Sequence, residues 1–195
     1  MDIYNKIISR RTIRKFKQTE IPVETLKKIV NAGRLAPSAG NLQPLEYFIA
    51  VDSSLREKIF STLNWARYIK PEGDPQKDEK PMAYIIIMVN DKIVNPAHFK
   101  YDIGASAENM IITALSEGIG CCWIASVNKS DLAEILQIPA DHSIDCVLAF
   151  GYPFENPAYE DIDTNGSIKY YKDSDGRLRV PKRKLEDILY INKFW

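Results

Sequence analysis

The fold class is decided by the stretch Ala83-Tyr84-Ile85-Ile86-Ile87-Met88-Val89, a continuous apolar run in the middle of the chain. Its three isoleucines and its valine are β-branched, which favours a strand over a helix. Because apolar and polar side chains do not alternate, the run predicts a central strand that is covered on both faces. The run is also far too short to cross a bilayer.

Further strand-like and helical segments alternate on both sides of this run. Strands are expected over 45–51, 121–127 and 144–150, and Asp173-Ser174-Asp175-Gly176 has the chemistry of a hairpin turn. No repeat or linker divides the chain. The pattern predicts one α/β-layered domain over residues 1–195.

The longest helix is expected over 99–117, ended by Gly118. Its small residues Gly104, Ala105 and Ala107 would let another helix approach closely. A terminal Phe194-Trp195 pair is expected to pack on a partner subunit rather than face water. Other helices are expected over 3–8, over 23–35, from a cap at Ser53 to 63, from a cap at Lys129 or Ser130 to 136, and through Leu185, Ile188 and Leu189.

Composition places the chain among ordinary globular proteins. Lys+Arg and Asp+Glu both number 26, so the overall charge gives no attraction to nucleic acid or to an anionic membrane. The three cysteines, Cys121, Cys122 and Cys146, lie in apolar surroundings and are expected to be buried thiols. The first residues lack the apolar core of a signal peptide, so a cytoplasmic location is expected.

Several common kinds of site are disfavoured by the motifs. His98 and His142 are far apart and belong to no metal-binding pair, so each is expected to be a surface or structural histidine. Gly-x-Ser-x-Gly, P-loop and dinucleotide-binding patterns are absent. A nucleophilic role for Cys121 or Cys122 would need a basic neighbour, and none is visible in the sequence.

A local basic segment, Arg10-Arg11-Thr12-Ile13-Arg14, stands out against the balanced charge. A phosphate dianion binds well to paired arginines and a hydroxyl donor. On an extended segment Arg10, Thr12 and Arg14 would share one face, while Arg11 would contact solvent or a subunit. A second basic cluster, which includes Lys182 and Arg183, would complete a phosphate site if the tail returned to this segment. Taken alone, each cluster is more typical of a solvated surface than of a ligand site.

The chain resembles the FMN-dependent nitroreductase family in five segments that occur in the family's order. The basic segment through Phe16 resembles the family's opening Arg-Arg-Ser/Thr-x-Arg-x-Phe motif. The other four resemblances are 36–44, Ala-Pro-Ser-Ala-Gly-Asn-Leu-Gln-Pro; 102–124, with Asp-Ile-Gly-Ala, Asn109 and Gly-Ile-Gly-Cys-Cys-Trp-Ile; Gly151-Tyr152-Pro153; and 183–188.

The resemblance implies an α+β nitroreductase-like fold with a central mixed sheet flanked by helices, in an intertwined homodimer with FMN at the subunit interface. It assigns phosphate binding to Arg10 and Thr12 with Lys182 or Arg183, and the ribityl chain and pyrimidine edge to Arg14. The cofactor-binding set that it implies is Arg10, Arg11, Thr12, Arg14, Pro37, Ser38, Asn41, Gln43, Trp123, Ile124, Ala125, Ser126, Lys182 and Arg183, with residues 37–43 reaching across the dimer.

The implied activity is hydride transfer from NADH or NADPH through FMN to a nitroaromatic, a quinone or a related small conjugated acceptor. No protein acid–base catalyst, metal, nucleic acid or membrane is implied. Trp65, Tyr68 and Trp123 are candidate residues for stacking on substrate, with core packing as the alternative for each. Two other functions stay open: a flavin-binding redox sensor, or another reaction on the same fold, such as dehalogenation, flavin fragmentation or ring dehydrogenation.

Overall fold

The structure is a computed structural model that describes residues 2–93 and 99–194, so the predictions for His98 and Trp195 lie outside the described residues. In chain order the elements are α1 (Ile3–Ser9), β1 (Phe16–Lys17), α2 (Val23–Arg34), β2 (Leu45–Ala50), α3 (Ser53–Ser61), β3 (Ala83–Asn90), α4 (Lys100–Ser116), β4 (Gly120–Ile124), α5 (Lys129–Leu136), β5 (His142–Pro153), β6 (Ala158–Ile162), β7 (Tyr171–Lys172) and β8 (Leu178–Arg183), with 3-10 turns at Ala39–Asn41 and Leu185–Asp187.

The main sheet is built around β3 and β5. β3 lies between β2 and β5, and β5 also pairs with β4 and with β1. These ladders are antiparallel, and a bridge between Thr12 and Cys121 adds a parallel pairing. The connection from β3 through α4 therefore returns to the sheet at β4, on the other side of β5.

The prediction that β3 is covered on both faces is confirmed. Ile85, Ile87 and Val89 belong to one apolar cluster, which α2 and α4 cover with residues such as Leu26 and Met110. The alternate side chains of β3 belong to a second cluster. Its members include Tyr84, Ile86 and Met88 from β3, Ile59 from α3 and Leu132 from α5. Burial of both faces explains why the run lacks polar residues.

Two helix starts and the C-terminal helix differ from the predictions. Asp52 rather than Ser53 caps α3, because its carboxylate accepts from the backbone N–H of Leu55 at 2.8 Å. Asn128 caps α5, ahead of the predicted Lys129 or Ser130, and accepts from the N–H of Asp131. The tail forms a single 3-10 turn over Leu185–Asp187 instead of a helix through Leu189.

Several strands also differ from prediction. The strand expected over 121–127 ends at Ile124, so Ala125 and Ser126 follow it in irregular backbone. β5 is longer than expected. β6 was not predicted; it pairs in parallel with β8, while β7 pairs with β8 across the predicted hairpin turn. These three strands form a small second sheet.

Candidate functional site

The basic segment lies directly beside β4. Thr12 forms its bridge with Cys121, and the N–H of Ile13 donates to the carbonyl oxygen of Cys121 at 3.0 Å. Ile13 is buried over Gly120, where an added Cβ would lie 2.7 Å from its Cγ1. Since the bridge is parallel, the segment runs in the direction of β4, towards Trp123. Two segments that are more than a hundred residues apart in sequence therefore share one surface.

Arg10 and Arg11 line one cavity of about 300 Å³ beside Gly118–Cys121. The Nε of Arg10 lies 3.5 Å from Oε1 of Glu108 on α4. Burial, and then the charge of Arg10, lower the pKa of the Arg11 guanidinium. Two adjacent cations at one cavity repel each other, so a bound anion would be stabilised there.

The side chain of Arg11 makes its contacts within its own chain, although the alternation rule predicts solvent or a subunit. Its Nη2 donates to the carbonyl of Ile8 at 2.8 Å, and Nη1 donates to the carbonyl of Arg10. Its guanidinium lies over the ring of Tyr159 on β6, 4.5 Å from the centroid. The alternation fails because only Thr12 of this segment has bridge geometry, so the residues around it are not a regular strand.

Arg14 lines a different cavity from Arg10, of about 410 Å³. Its guanidinium lies 4.9 Å from the centroid of the Tyr170 ring, and the Tyr68 ring packs on the same tyrosine with centroids 4.9 Å apart. Tyr170 thus joins two predicted site residues that are far apart in sequence. Sequence reasoning missed it because nothing local marks that tyrosine. Glu155 lies between the two cavities and accepts from the backbone N–H groups of Arg14 and Lys15.

Residues 123–126, at the end of β4 and directly after it, belong to the predicted cofactor-binding set. Trp123 is 39% exposed, and Ala125 and Ser126 are exposed, whereas the side chain of Ile124 is buried. Only the backbone of Ile124 is therefore available to a ligand. Trp65 requires a correction: it is buried and stacks on Phe60 at 5.6 Å, so core packing rather than substrate stacking describes it.

The second predicted loop is held by a buried carboxylate. Asp102 on α4 is 5% exposed; it accepts from the hydroxyl of Ser38 at 2.6 Å and from the N–H of Ala39 at 3.1 Å. The Ser38 oxygen in turn accepts from the N–H of Gln43. Ser38 therefore positions the loop, and the other residues of the loop that were predicted to bind cofactor, Pro37, Asn41 and Gln43, are exposed. Within residues 2–93 and 99–194, no hydrogen bond or ion pair connects this loop to Arg10–Arg14.

Replacement of this carboxylate is expected to release the loop. Asp102→Ala leaves the Ser38 hydroxyl and the Ala39 N–H without their partner, which costs about 1–3 kcal/mol of the free energy of unfolding. Urea unfolding measures this loss. Ser106→Ala, a buried hydroxyl one turn along α4 that bonds Tyr47 instead, is the matched control. An Asp102→Ala chain as stable as the parent would contradict the assignment.

The C-terminal cations lie on the small sheet. Lys182 and Arg183 are exposed, Lys182 is opposite Asp161 in the β6–β8 ladder, and Arg183 donates to the carbonyl of Asp187 at 3.1 Å. The same ladder contains Tyr159, on which Arg11 stacks. The tail therefore does return to the N-terminal segment, through the sheet rather than through a direct contact between the two basic clusters.

The cysteines and His142 lie in structural surroundings. The three cysteines are free and buried, and burial raises the pKa of Cys122 to about 11 and that of Cys146 to about 12. His142 lies between Asp141 and Glu46, and the hydrogen bond to Asp141 is the main reason that its pKa is raised. In the described part of the chain no group of histidine, cysteine and carboxylate side chains could hold a metal ion, and no helix is long and apolar enough to cross a membrane.

Comparisons with known proteins show which chains this one resembles. A protein of Methanothermobacter thermautotrophicus, provisionally named an NADH dehydrogenase/NAD(P)H nitroreductase, is 30% identical over 167 residues, which cover 83% of each chain. An iodotyrosine deiodinase of Haliscomenobacter hydrossis is 25% identical, over 83% of each chain. The solved structure of an FMN-dependent nitroreductase of Clostridium difficile matches 98% of this chain and 99% of its own, with a TM-score of 0.69 and 22% identity.

The sequence model of the nitroreductase family matches residues 7–152, which contain the basic segment, the loop held by Asp102, β4 and β5. The predicted α+β nitroreductase-like fold is confirmed by these neighbours, and so is the resemblance noted in the sequence. On this match, and on the archaeal relative, the chain belongs to the nitroreductase family.

Proposed function

We propose that this chain is an FMN-dependent oxidoreductase that takes hydride from NADH or NADPH and passes two electrons to a nitroaromatic, a quinone or a related conjugated acceptor. The observation that carries the proposal is the pairing of Thr12 with Cys121, which holds three arginines along β4, the strand that contains Trp123. The names of two similar proteins, an NAD(P)H nitroreductase and an FMN-dependent nitroreductase, support it.

The residues of this chain fit the parts of FMN. The Arg10 and Arg11 cavity concentrates positive charge for a phosphate dianion. Thr12, the next residue of the basic segment, would add a hydroxyl donor. Lys182 and Arg183, on the sheet that Arg11 contacts, would add further cations. Arg14 lies towards the exposed end of β4, where the backbone N–H groups of 123–126 would meet the ring system.

In the proposed function the cofactor carries out the redox chemistry, and the side chains of the site bind and orient it. FMN supplies hydride acceptance and donation when bound. The positive charge of Arg14 favours an electron-rich ring in its neighbourhood, and Trp123 offers a flat apolar surface beside it. No side chain of the site is assigned as an acid–base catalyst, so protons would come from water.

We propose further that the site is completed by a second copy of the chain. The apolar residues of α1 are exposed, with Ile3 at 73% and Tyr4 at 69%, and Tyr101 on α4 is 89% exposed. Single apolar residues on a surface are normal, but a helix that buries none of its residues needs a partner. The loop of Asn41 and Gln43, which does not reach the basic segment of its own chain, would reach that of the partner.

The position of Gly104 offers a test of the dimer. No atom lies within 4 Å of a Cβ built on Gly104, so Gly104→Leu is tolerated by an isolated chain. If α4 packs closely on the partner, leucine separates the two copies and the protein becomes monomeric and poor in FMN. Light scattering and flavin absorbance measure both effects. Glu134→Leu, which adds the same side chain at an exposed site on α5, is the control.

The function is tested by the flavin spectrum. Purified protein is expected to be yellow, and anaerobic NADH or NADPH is expected to bleach it within seconds in a stopped-flow instrument. Reoxidation by a panel of nitroaromatics and quinones then identifies the acceptor class. Bleaching by dithionite but by neither nucleotide would instead indicate a redox sensor or another donor.

A second candidate, reductive dehalogenation, is favoured by the similarity to the iodotyrosine deiodinase. The same panel separates the two functions when it includes a halogenated phenol. Release of halide from the reduced enzyme, with slow reoxidation by nitroaromatics, would favour the second candidate.

A further inference from the structure

We propose that the cavity beside Arg14 binds the anionic group of a planar molecule that exchanges electrons with the flavin, which makes the enzyme selective for aromatic molecules that carry a carboxylate or phosphate. This inference rests on the proposed function, because only flavin at the neighbouring surface gives such a molecule a redox partner. The cavity measures about 410 Å³, within the range of small-molecule sites.

Four cations line this cavity. Arg14 and Lys15 come from the basic segment, Lys172 from β7 and Arg177 from the turn between β7 and β8. Glu155 and Asp175 are the carboxylates among the lining residues. Positive charge therefore predominates in the lining, whereas the whole chain has no net charge.

Three of the four cations are not neutralised by an ion pair. Lys15 is paired with Glu79, at 2.7 Å. In the described parts of the chain, the side chains of Arg14, Lys172 and Arg177 have no carboxylate within ion-pair distance; Lys172 donates to the carbonyl of Glu72, at 3.2 Å, and Arg177 to that of Asn156, at 2.8 Å. Bonds to neutral carbonyls leave their charges available, so an anion in the cavity would gain charge-assisted hydrogen bonds.

The rest of the lining is apolar and suits a flat ring. Ile69, Phe154 and Leu178 contribute apolar surface to the same cavity. Arg14, one of the lining cations, lies on the ring of Tyr170, which in turn packs on the ring of Tyr68. A ring with one anionic substituent matches both parts of the lining, whereas a neutral hydrocarbon would leave the cations unpaired.

Two kinds of molecule combine an aromatic ring with an anionic group, and the experiment distinguishes them. An acceptor can carry a carboxylate on its ring, and NADPH carries a 2′-phosphate beside its adenine that NADH lacks. The first arm compares 4-nitrobenzoate with its neutral counterpart 4-nitrobenzamide as acceptor. The second compares NADPH with NADH, using a neutral quinone as acceptor.

The variants are Arg177→Gln and Lys172→Gln, with Arg177→Lys to retain the charge and Lys169→Gln as the matched control. Lys169 is exposed between β6 and β7 and does not line the cavity. Each Gln variant is expected to lower kcat/KM about tenfold for the member of one pair that carries the carboxylate or the 2′-phosphate, with little change for the member that lacks this group. Arg177→Lys should recover much of the loss, Lys169→Gln should behave as the parent, and added salt should reduce the difference.

A binding measurement keeps the inference independent of turnover. Calorimetric titration of 4-nitrobenzoate and of NADP⁺, neither of which can reduce the oxidised flavin, into the oxidised parent and into Arg177→Gln is expected to show that the variant loses affinity for one of them. Equal kinetic losses for both members of each pair, or unchanged binding of both anions, would overturn the inference. Absence of flavin, or of bleaching by either nucleotide in the parent, would overturn the proposed function instead, and titration would still test the anion site.

Discussion

Arg10→Ala protein is expected to purify with little FMN and to bind added FMN about thirtyfold more weakly than the parent. The guanidinium of Arg10 lines the cavity that we assign to the phosphate, and a hydrogen bond between charged groups contributes about 2 kcal/mol. Loss of that contact corresponds to the stated change in Kd. Quenching of FMN fluorescence, titrated with apoprotein, measures Kd directly.

Glu108 provides the control for this prediction. Without cofactor Arg10 is 3.5 Å from Glu108, so loss of FMN in Arg10→Ala could reflect the broken ion pair rather than the lost phosphate contact. Glu108→Gln breaks the same ion pair and leaves Arg10 in place. It is expected to bind FMN at least as well as the parent, because a competitor for the guanidinium is gone. Equal weakening in both variants, or full FMN occupancy in Arg10→Ala, would contradict the phosphate assignment.

The parts of the fold that could be predicted from sequence are those whose burial is uniform or periodic. β3 was predictable because both of its faces are buried, and the apolar stripe of α2 was predictable because one face is. β6 was not predictable. Its half-buried residues alternate with exposed ones, but its sequence, Ala-Tyr-Glu-Asp-Ile, is acidic, and its pairing partner β8 lies 20 residues away.

Local rules failed where a distant residue decides the structure. The Ser38 hydroxyl donates to Asp102, 64 positions along the chain, while the assignment of Ser38 to the cofactor, which came from the family resemblance, stays a prediction. Nothing near either residue signals that bond. The helix caps show the opposite case: Asp52 and Asn128 are good capping residues by type, and the prediction placed each cap one or two positions too late.

The composite site was predictable as a set of segments but not as a geometry. Arg10, Arg14 and Trp123 were singled out by residue type and by family resemblance, and the structure brings their segments together through Thr12. Arg10 and Arg14 line two different cavities, and Glu155 and Asn156 line both of them. Tyr159 and Tyr170 come from a part of the chain that matches no motif, so residue pattern alone could not predict that their rings contact Arg11 and Arg14.

Gly120→Ala and Ile13→Ala are each expected to reduce stability and FMN affinity, although neither residue has a group that could bind the cofactor. A Cβ on Gly120 would lie 2.7 Å from Cγ1 and 2.8 Å from Cβ of Ile13, closer than atoms can approach. Ile13 must then move away from β4 and carry Thr12 and Arg14 with it. Such overpacking costs about 1–3 kcal/mol, and the cavity left by Ile13→Ala about 2–4 kcal/mol. Urea unfolding and FMN titration measure the two effects.

The double variant decides whether these effects share the proposed cause. In the Ile13→Ala background the new methyl group at Gly120 no longer meets Cγ1 and Cγ2, at 2.7 and 3.1 Å, although it still meets the retained Cβ at 2.8 Å, so the clash is relieved in part. The double variant should therefore lose less unfolding free energy than the sum of the losses in the two single variants, and the difference is a coupling energy of about 1–2 kcal/mol. FMN affinity should follow the same pattern, because Arg10, Thr12 and Arg14 are intact in all three proteins and only their position on β4 changes. Strict additivity would mean that the contact between Ile13 and Gly120 does not hold the basic segment in place.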